Sequence, residues 1–187
     1  MKRLFTFVAL FCIVLCGCSQ NKKQQTMTND QKKETKVLVT YFSASGVTRG
    51  VAEKIAKAAN ADIAEIVPEK RYTDADLNWQ DKNSRSSVEM KDKSSRPAIK
   101  KNISNIGDYE TIYIGFPIWW YTAPTIINTF IESYDLSGKN IVLFATSGGS
   151  GIDRAARDLK ASYPNLNFIK SALLNSPSDD EVKNFIK

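Results

Sequence analysis

The stretch Ser43-Ala44-Ser45-Gly46-Val47-Thr48 stands where one sequence pattern ends and another begins. Residues 36–42 before it are rich in β-branched and aromatic side chains and predict a buried strand. Residues 47–60 predict a helix, whose apolar face consists of Val47, Val51, Ile55 and Ala58. A helix that begins directly after a strand presents unpaired backbone N–H groups and a positive dipole end, so this stretch is a candidate phosphate-binding turn.

The composition of this turn separates it from two other phosphate loops. It lacks both the Gly-Lys-Ser/Thr ending of a nucleoside triphosphate loop and the Gly-x-Gly-x-x-Gly spacing of a dinucleotide fold. Its three hydroxyls add hydrogen-bond donors without adding charge, and Gly46 permits a tight turn. Taken alone, the stretch is better explained as an ordinary capped turn between a strand and a helix.

The rest of the chain alternates between the same two patterns. Further strands are predicted at residues 62–67, 111–116, 140–146 and 167–174, and further helices at about 123–134, at 152–162 and from Ser178 onward. Pro124 is expected in a first helical turn, and Ser178-Asp-Asp-Glu181 has the pattern of a capping box. Such alternation indicates a parallel sheet covered on both faces, with the loops after its strands along one edge.

Residues 68–108 interrupt this alternation. They are charged and poor in aliphatic side chains apart from interruptions at Tyr72, Leu77 and Trp79, and a surface helix is predicted at 83–93. A connection of this length is often functional, although a loosely ordered segment is an equally good interpretation.

The loop after the 111–116 strand is aromatic. It contains Pro117, Ile118, Trp119, Trp120 and Tyr121. One tryptophan is expected in the core, but adjacent residues cannot all point inward. At least one ring should therefore face the ligand edge, where it could stack on a flat heteroaromatic group.

The loop after the 140–146 strand is rich in glycine. It runs Thr146-Ser147-Gly148-Gly149-Ser150-Gly151, and backbone amides in such a loop can approach a ligand closely because few side chains stand in the way. A flexible connector is the alternative. A nucleophile elbow is excluded because the Gly-x-Ser-x-Gly spacing and histidine are both absent.

The start of the chain predicts export and anchoring. Lys2 and Arg3 precede the apolar run 4–15, which is too short to span a membrane comfortably but suits a secretory signal. The run ends in Leu15-Cys16-Gly17-Cys18, which resembles a bacterial lipobox. We therefore expect a lipoprotein signal peptide at 1–17, lipidation of Cys18 and a polar membrane tether at 18–35. A plain signal peptide or a signal anchor is the alternative.

Composition excludes several classes of chemistry. The chain has no histidine, and its three cysteines all precede residue 19. No Ser-His-Asp triad, disulfide or thiolate metal site is therefore expected in the folded part. The net charge of +6 comes mostly from the first 35 residues, so no nucleic-acid partner is predicted. We assign no catalytic side chain and no metal site.

Together the three loops supply a phosphate cradle, an aromatic wall and a rim of amides, which is what flavin mononucleotide (FMN) requires. Residues 41–48, 115–120 and 144–151 are similar to the phosphate loop and the two ring loops of the flavodoxin-like family. That resemblance covers nearly all of 36–187. It implies a three-layer α/β sandwich with helices on both faces of a five-stranded parallel sheet in the order 2-1-3-4-5.

The resemblance also implies FMN as cofactor and a role for each loop. Ser43, Ser45, Val47 and Thr48 would hold the phosphate around Gly46, the residues at 117–121 would flank the ring, and Thr146, Ser147, Gly148, Gly149 and Gly151 would form its amide rim. The implied function is electron transfer with an unidentified redox partner. The lipobox-like start of the chain, by contrast, is the feature that predicts a location outside the cytoplasm, anchored to a bacterial membrane. The alternatives are an NAD(P)H-dependent quinone reductase and a surface-anchored binding module without redox turnover.

Overall fold

The computed structural model describes residues 36–187. The predicted signal peptide 1–17, the tether 18–35 and the lipidation residue Cys18 lie outside the described residues and stay predictions. Within 36–187, no helix is both long enough and apolar enough to cross a membrane.

Five parallel strands form one sheet in the order β2-β1-β3-β4-β5, which confirms the predicted fold class. The strands are β1 (Val37–Tyr41), β2 (Asp62–Glu65), β3 (Thr111–Pro117), β4 (Asn140–Thr146) and β5 (Asn167–Leu173). The second strand ends at Glu65, two residues before the predicted end. The central strands are buried on both faces, as their continuous apolar runs require.

Helices cover both faces of the sheet. They are α1 (Val47–Ala59), α2 (Arg85–Lys91), α3 (Thr125–Ser133), α4 (Asp153–Ser162) and α5 (Asp179–Ile186). Alternate strand residues point to opposite faces and form two separate cores. Helices α1 and α5 pack on one face against residues such as Val39 and Val142. Helices α3 and α4 pack on the other face against residues such as Ile112 and Leu143.

The buried face of α1 differs from the predicted one. It consists of Thr48, Val51, Ala52, Ile55 and Ala56, whereas Val47 and Ala58 are exposed. At 3.6 residues per turn, this face is rotated by roughly 70° from the predicted one. Thr48 therefore faces inward. The hydrophobic pattern did not predict this because threonine is not an apolar residue.

The residues next to the starts of α2, α3 and α5 determine where these helices begin. Pro124 is the N-cap of α3 and precedes the helix, so its expected place inside the first turn is wrong. The capping box at α5 is confirmed, because Glu181 N donates to Ser178 Oγ and Ser178 N donates to Glu181 Oε2. Helix α2 is shorter than predicted because the Ser84 side chain caps it at Arg85.

The 68–108 connection folds back along the edge of the sheet. An antiparallel bridge joins Pro68 to Ile99, and a short 3₁₀ turn spans Ile106–Asp108. Buried Lys139 donates from Nζ to the carbonyl oxygens of Gly107 (3.0 Å) and Tyr109 (2.7 Å). The connection therefore pairs with itself near its start, and its end is bonded to Lys139, the residue before β4.

Candidate functional site

The three predicted loops meet at the carboxyl edge of the sheet and are bonded to one another. Thr48 Oγ1 lies 2.8 Å from Thr146 Oγ1 in a buried hydrogen bond. Ile118 N donates to Thr146 O, also at 2.8 Å. Thr146 therefore joins the turn after β1, the loop after β3 and the loop after β4.

The turn after β1 leaves the start of α1 uncapped by the protein. Gly46 is the N-cap with a φ of +87°, a left-handed conformation that favours glycine. It has no side chain to cap the helix, and no acidic residue lies in the first turn. The buried Ser43 Oγ has no hydrogen-bond partner among the described residues. Such a hydroxyl, beside a positive helix end, suits an anionic oxygen.

A cavity of about 330 Å³ opens at this turn, and we call it the phosphate cavity. Three residues of the predicted turn, Ser43, Ser45 and Gly46, line it together with Arg49 and Arg71, which the sequence pattern did not indicate. Val47 and Thr48 do not line it. The reason is that Val47 is exposed outside it and the Thr48 hydroxyl is bonded to Thr146.

The charge of Arg49 is balanced within the protein. Arg49 Nη2 lies 3.2 Å from both carboxylate oxygens of Glu65, which also lines the phosphate cavity. A hydrogen bond with the Tyr41 hydroxyl and the neighbouring Glu65 carboxylate raise the pKa of the Arg49 guanidinium. In the lining of this cavity, Arg71 and the start of α1 are therefore the other sources of positive potential.

The loop after β3 ends in a tight aromatic turn. Trp119 N donates to Thr122 O at 3.0 Å, and Thr122 N donates to Trp119 O at 2.9 Å. The two residues between them, Trp120 and Tyr121, have φ values of 44° and 68°. Glycine and asparagine dominate such positions, and a bulky side chain there costs on the order of 1–3 kcal/mol. Backbone strain of this kind is often found in residues that hold a ligand.

The two tryptophans have different surroundings. Trp119 turns inward and packs edge-on against Phe42 and Tyr72, with ring centroids 5.6 and 5.5 Å away. Trp120 is 41% exposed and Tyr121 is 62% exposed. One tryptophan therefore packs against the core while its neighbour faces outward.

A second cavity, of about 400 Å³, lies against this turn, and we call it the aromatic cavity. It is lined by Leu77, Trp79, Ser86, Ile118, Trp119, Trp120, Tyr121 and Ser150. None of these side chains is charged. The predicted residues Ile118 to Tyr121 are therefore together, whereas Pro117, at the end of β3, is outside the lining.

The glycine-rich loop contributes differently from the prediction. Ser147 N donates to Asn175 Oδ1 at 2.9 Å, and Gly149 N donates to Ser147 Oγ at 3.2 Å. These two predicted amides are thus already bonded within the protein. The amides of Gly148 and Gly151 remain as candidate donors. Within this loop, Ser150 lines the aromatic cavity although it was not among the predicted residues.

Leu77, Trp79 and Ser86 of the 68–108 connection were also missed. Their places depend on contacts between distant segments, which hydrophobic periodicity does not encode. The available signal was compositional, because Tyr72, Leu77 and Trp79 are large apolar side chains in an otherwise charged segment. Tyr72 packs on Trp119 and donates to Glu89 Oε2 at 2.6 Å. Burial, followed by this hydrogen bond, raises the pKa of the Tyr72 hydroxyl far above its usual range.

Comparison with known proteins agrees with this geometry. The family model described as flavodoxin matches residues 36–187. The chain belongs to the flavodoxin family. No curated protein matches it significantly.

Solved structures of candidate flavoproteins resemble this family member. One from Bacteroides eggerthii is 51% identical, with a TM-score of 0.80, and the match covers 81% of this chain and 96% of that one. One from Bacteroides uniformis is 53% identical, with a TM-score of 0.79, covering 81% and 97%. A flavoprotein from Lactobacillus acidophilus, solved in complex with FMN, is 25% identical, with a TM-score of 0.66, covering 82% and 99%.

Proposed function

We propose that this flavodoxin-family protein binds FMN and transfers electrons outside the cytoplasm. The observation that carries the proposal is the pair of cavities at one sheet edge. One has phosphate-binding character and the other is uncharged and aromatic. Phe42 and Tyr72 line the first, Trp119 lines the second, and these three rings contact one another. The FMN complex of the Lactobacillus acidophilus relative supports the same ligand.

The phosphate cavity fits the terminal group of FMN. The start of α1 and Ser43 Oγ are donors that no side chain among residues 36–187 satisfies. Ser45 adds a hydroxyl, and Gly46 supplies the left-handed turn that these donors need. A phosphate at a helix start is bound through N–H groups and the helix dipole.

The aromatic cavity fits a flat, largely apolar ring. Trp120 and Tyr121 are held outward by their left-handed backbone, and Ile118 adds an aliphatic surface. Bound FMN supplies one- or two-electron redox chemistry, while the protein sets its orientation and electrostatics. Because none of the described residues that line this cavity is charged, the cavity offers little compensation for added negative charge, which lowers the reduction potential of the flavin.

These residues bind and orient, and none is assigned a proton-transfer step. The experiment that tests the function is a reversible redox titration of the FMN-loaded protein, followed by its visible absorption. We expect reversible reduction at a potential below that of free FMN. A protein that takes up no FMN would instead be a binding module. Rapid NAD(P)H oxidation in the presence of a quinone would favour a reductase over an electron carrier.

We also propose that the chain is exported and anchored to a membrane by a lipid. The apolar run 4–15 and the cysteine at position 18 support export and lipidation of Cys18, with residues 18–35 as tether. Expressed in bacteria with labelled palmitate, the full chain should carry the label and sediment with membranes. Cys18→Ser should lose both properties, and Cys12→Ser should keep them. A Cys18→Ser chain that remains labelled would contradict this anchor.

A further inference from the structure

The 68–108 connection places a third tryptophan at the aromatic cavity. Trp79 lines this cavity together with Trp119 and Trp120, although the two loops are far apart in the sequence. It is 70% exposed, an unusual state for so large an apolar side chain. An exposed indole at the rim of an uncharged cavity gains contact when a flat ligand enters.

The segment that carries Trp79 is held by local hydrogen bonds. Thr73 donates to Asp76 Oδ2 from both its N and its Oγ1, each at 2.9 Å. Leu77 N donates to Thr73 O at 3.1 Å, and Ser86 N donates to Asp76 O at 2.9 Å. The backbone on both sides of Trp79 is therefore fixed to its neighbours.

A second set of contacts fastens this segment to the aromatic turn. The Arg85 guanidinium lies 4.0 Å from the centre of the Tyr72 ring, and Arg85 Nε pairs with Glu89 Oε1 at 2.6 Å. The Tyr72 hydroxyl donates to the other oxygen of Glu89, and the Tyr72 ring packs on Trp119. This Tyr72–Arg85–Glu89 clamp links the connection directly to a residue of the aromatic cavity.

We propose that Trp79 is a flavin-contacting residue and that residues 77–86 form a cover over the aromatic cavity. The inference rests on the proposed FMN binding and extends it to a segment outside the three strand-end loops. Leu77 and Trp79 supply apolar contact to the ring, and the Tyr72–Arg85–Glu89 clamp is the positioning element. The ring is thus shielded from water by a part of the chain that its phosphate does not touch.

The test uses protein lacking its first 18 residues, which retains the complete sheet and both cores. FMN and riboflavin are titrated into the wild-type protein, Trp79→Ala and Val88→Ala, and flavin fluorescence is followed. Stacking on an aromatic side chain is worth roughly 1–3 kcal/mol per base, so Trp79→Ala should weaken the binding of both flavins equally, by about 5- to 150-fold. Val88 is the matched control, because it is exposed in the same connection and lies outside the cavity lining.

The outcomes separate this inference from the proposed function. If wild-type protein binds FMN and Trp79→Ala binds each flavin as tightly as wild-type protein does, the proposed cover is wrong and FMN binding stands. If Trp79→Ala weakens FMN alone, Trp79 acts on the phosphate and the inference also fails. If wild-type protein binds no FMN, the proposed function itself is overturned.

The clamp has its own test by a double variant. Arg85→Met removes the contact with Tyr72 and the ion pair with Glu89. If the clamp acts by positioning Trp79, Arg85→Met weakens riboflavin binding in the wild-type background and adds little to Trp79→Ala. If Arg85→Met causes the same loss of riboflavin affinity in wild-type and in Trp79→Ala protein, Arg85 does not act through Trp79.

Discussion

Thr48 and Thr146 share a buried hydrogen bond of 2.8 Å that joins the first turn of α1 to the end of β4. The same Thr146 accepts from the backbone of Ile118. The helix that begins at the phosphate cavity and the loop that lines the aromatic cavity are therefore both bonded to the same residue at the end of β4. This preorganisation reduces the entropy lost when a ligand spanning both cavities binds.

Thr48→Val should destabilise the fold, because valine leaves the buried Thr146 hydroxyl without its partner. The expected loss in free energy of unfolding is about 1–3 kcal/mol, measured by urea denaturation. Adding Thr146→Val should cost less than the sum of the two single changes. Thr125→Val is the control, since Thr125 Oγ1 is buried without a partner among the described residues and its loss should be neutral or stabilising. A Thr48→Val protein as stable as wild type would contradict this role.

The fold was predictable because its signals are local. The strand runs, the helical segments and the Ser178–Glu181 capping box each depend on neighbouring residues, and the alternation then limits the topology. The rotated face of α1 was missed because Thr48 is buried for its hydrogen bond to Thr146, a residue 98 positions away. Pairings at that separation leave no trace in periodicity.

The candidate site was predictable in part for the same reason. Strand ends locate the three loops, so Ser43, Gly46 and Trp120 could be proposed from their positions alone. Arg71, Trp79 and Ser86 could not, because the 68–108 connection has no periodic pattern that indicates where it folds back. The composition of that connection identifies it as unusual without assigning a place to any side chain.

Ser43→Ala combined with Ser45→Ala should weaken FMN much more than riboflavin, because only FMN has the phosphate. A loss of about tenfold or more in FMN affinity is expected, since hydrogen bonds to charged groups are worth about 1.5–3 kcal/mol. The measurement is the ratio of the two dissociation constants. Ser104→Ala, a change at an exposed serine away from both cavities, should leave that ratio unchanged. Equal losses for both flavins would mean that this turn does not hold the phosphate.

Gly115→Ala should destabilise the core on the face of the sheet that α1 and α5 cover. A Cβ at Gly115 would lie 2.1 Å from Phe144 Cζ, and that ring is fully buried. Overpacking of this kind costs about 1–3 kcal/mol or more, which a thermal or urea unfolding curve would detect. Gly107→Ala is the matched control, because a Cβ there meets nothing within 4 Å. Equal stability of the two variants would refute the close packing of β3 on β4.

Glu132 should contribute stability that depends on pH. Hydrogen bonds from Arg96 lower the pKa of this carboxyl, burial opposes them, and a hydrogen bond from Tyr163 adds to the lowering. A depressed folded-state pKa gives stability that is complete above the unfolded value of 4.5 and is lost as pH falls through the folded value. The pair is largely exposed, so the effect should be under about 1 kcal/mol.

The measurement is the difference in unfolding free energy between wild type and Glu132→Gln, taken at pH 7 and again near pH 3. That difference should be largest at pH 7 and smaller near pH 3. Asp74→Asn controls for the removal of an exposed carboxylate. If the difference instead grows as the pH falls, the pKa of Glu132 is raised in the folded state rather than lowered, and the assigned role of Arg96 and Tyr163 is wrong.

The two cavities are expected to form one FMN site. This is tested by the visible absorption spectrum of purified protein from residue 19 onward, before and after stepwise addition of FMN. We expect saturable spectral shifts of the flavin band with quenching of its fluorescence, at one FMN per chain. A spectrum that remains the sum of free FMN and colourless protein at every ratio would contradict it.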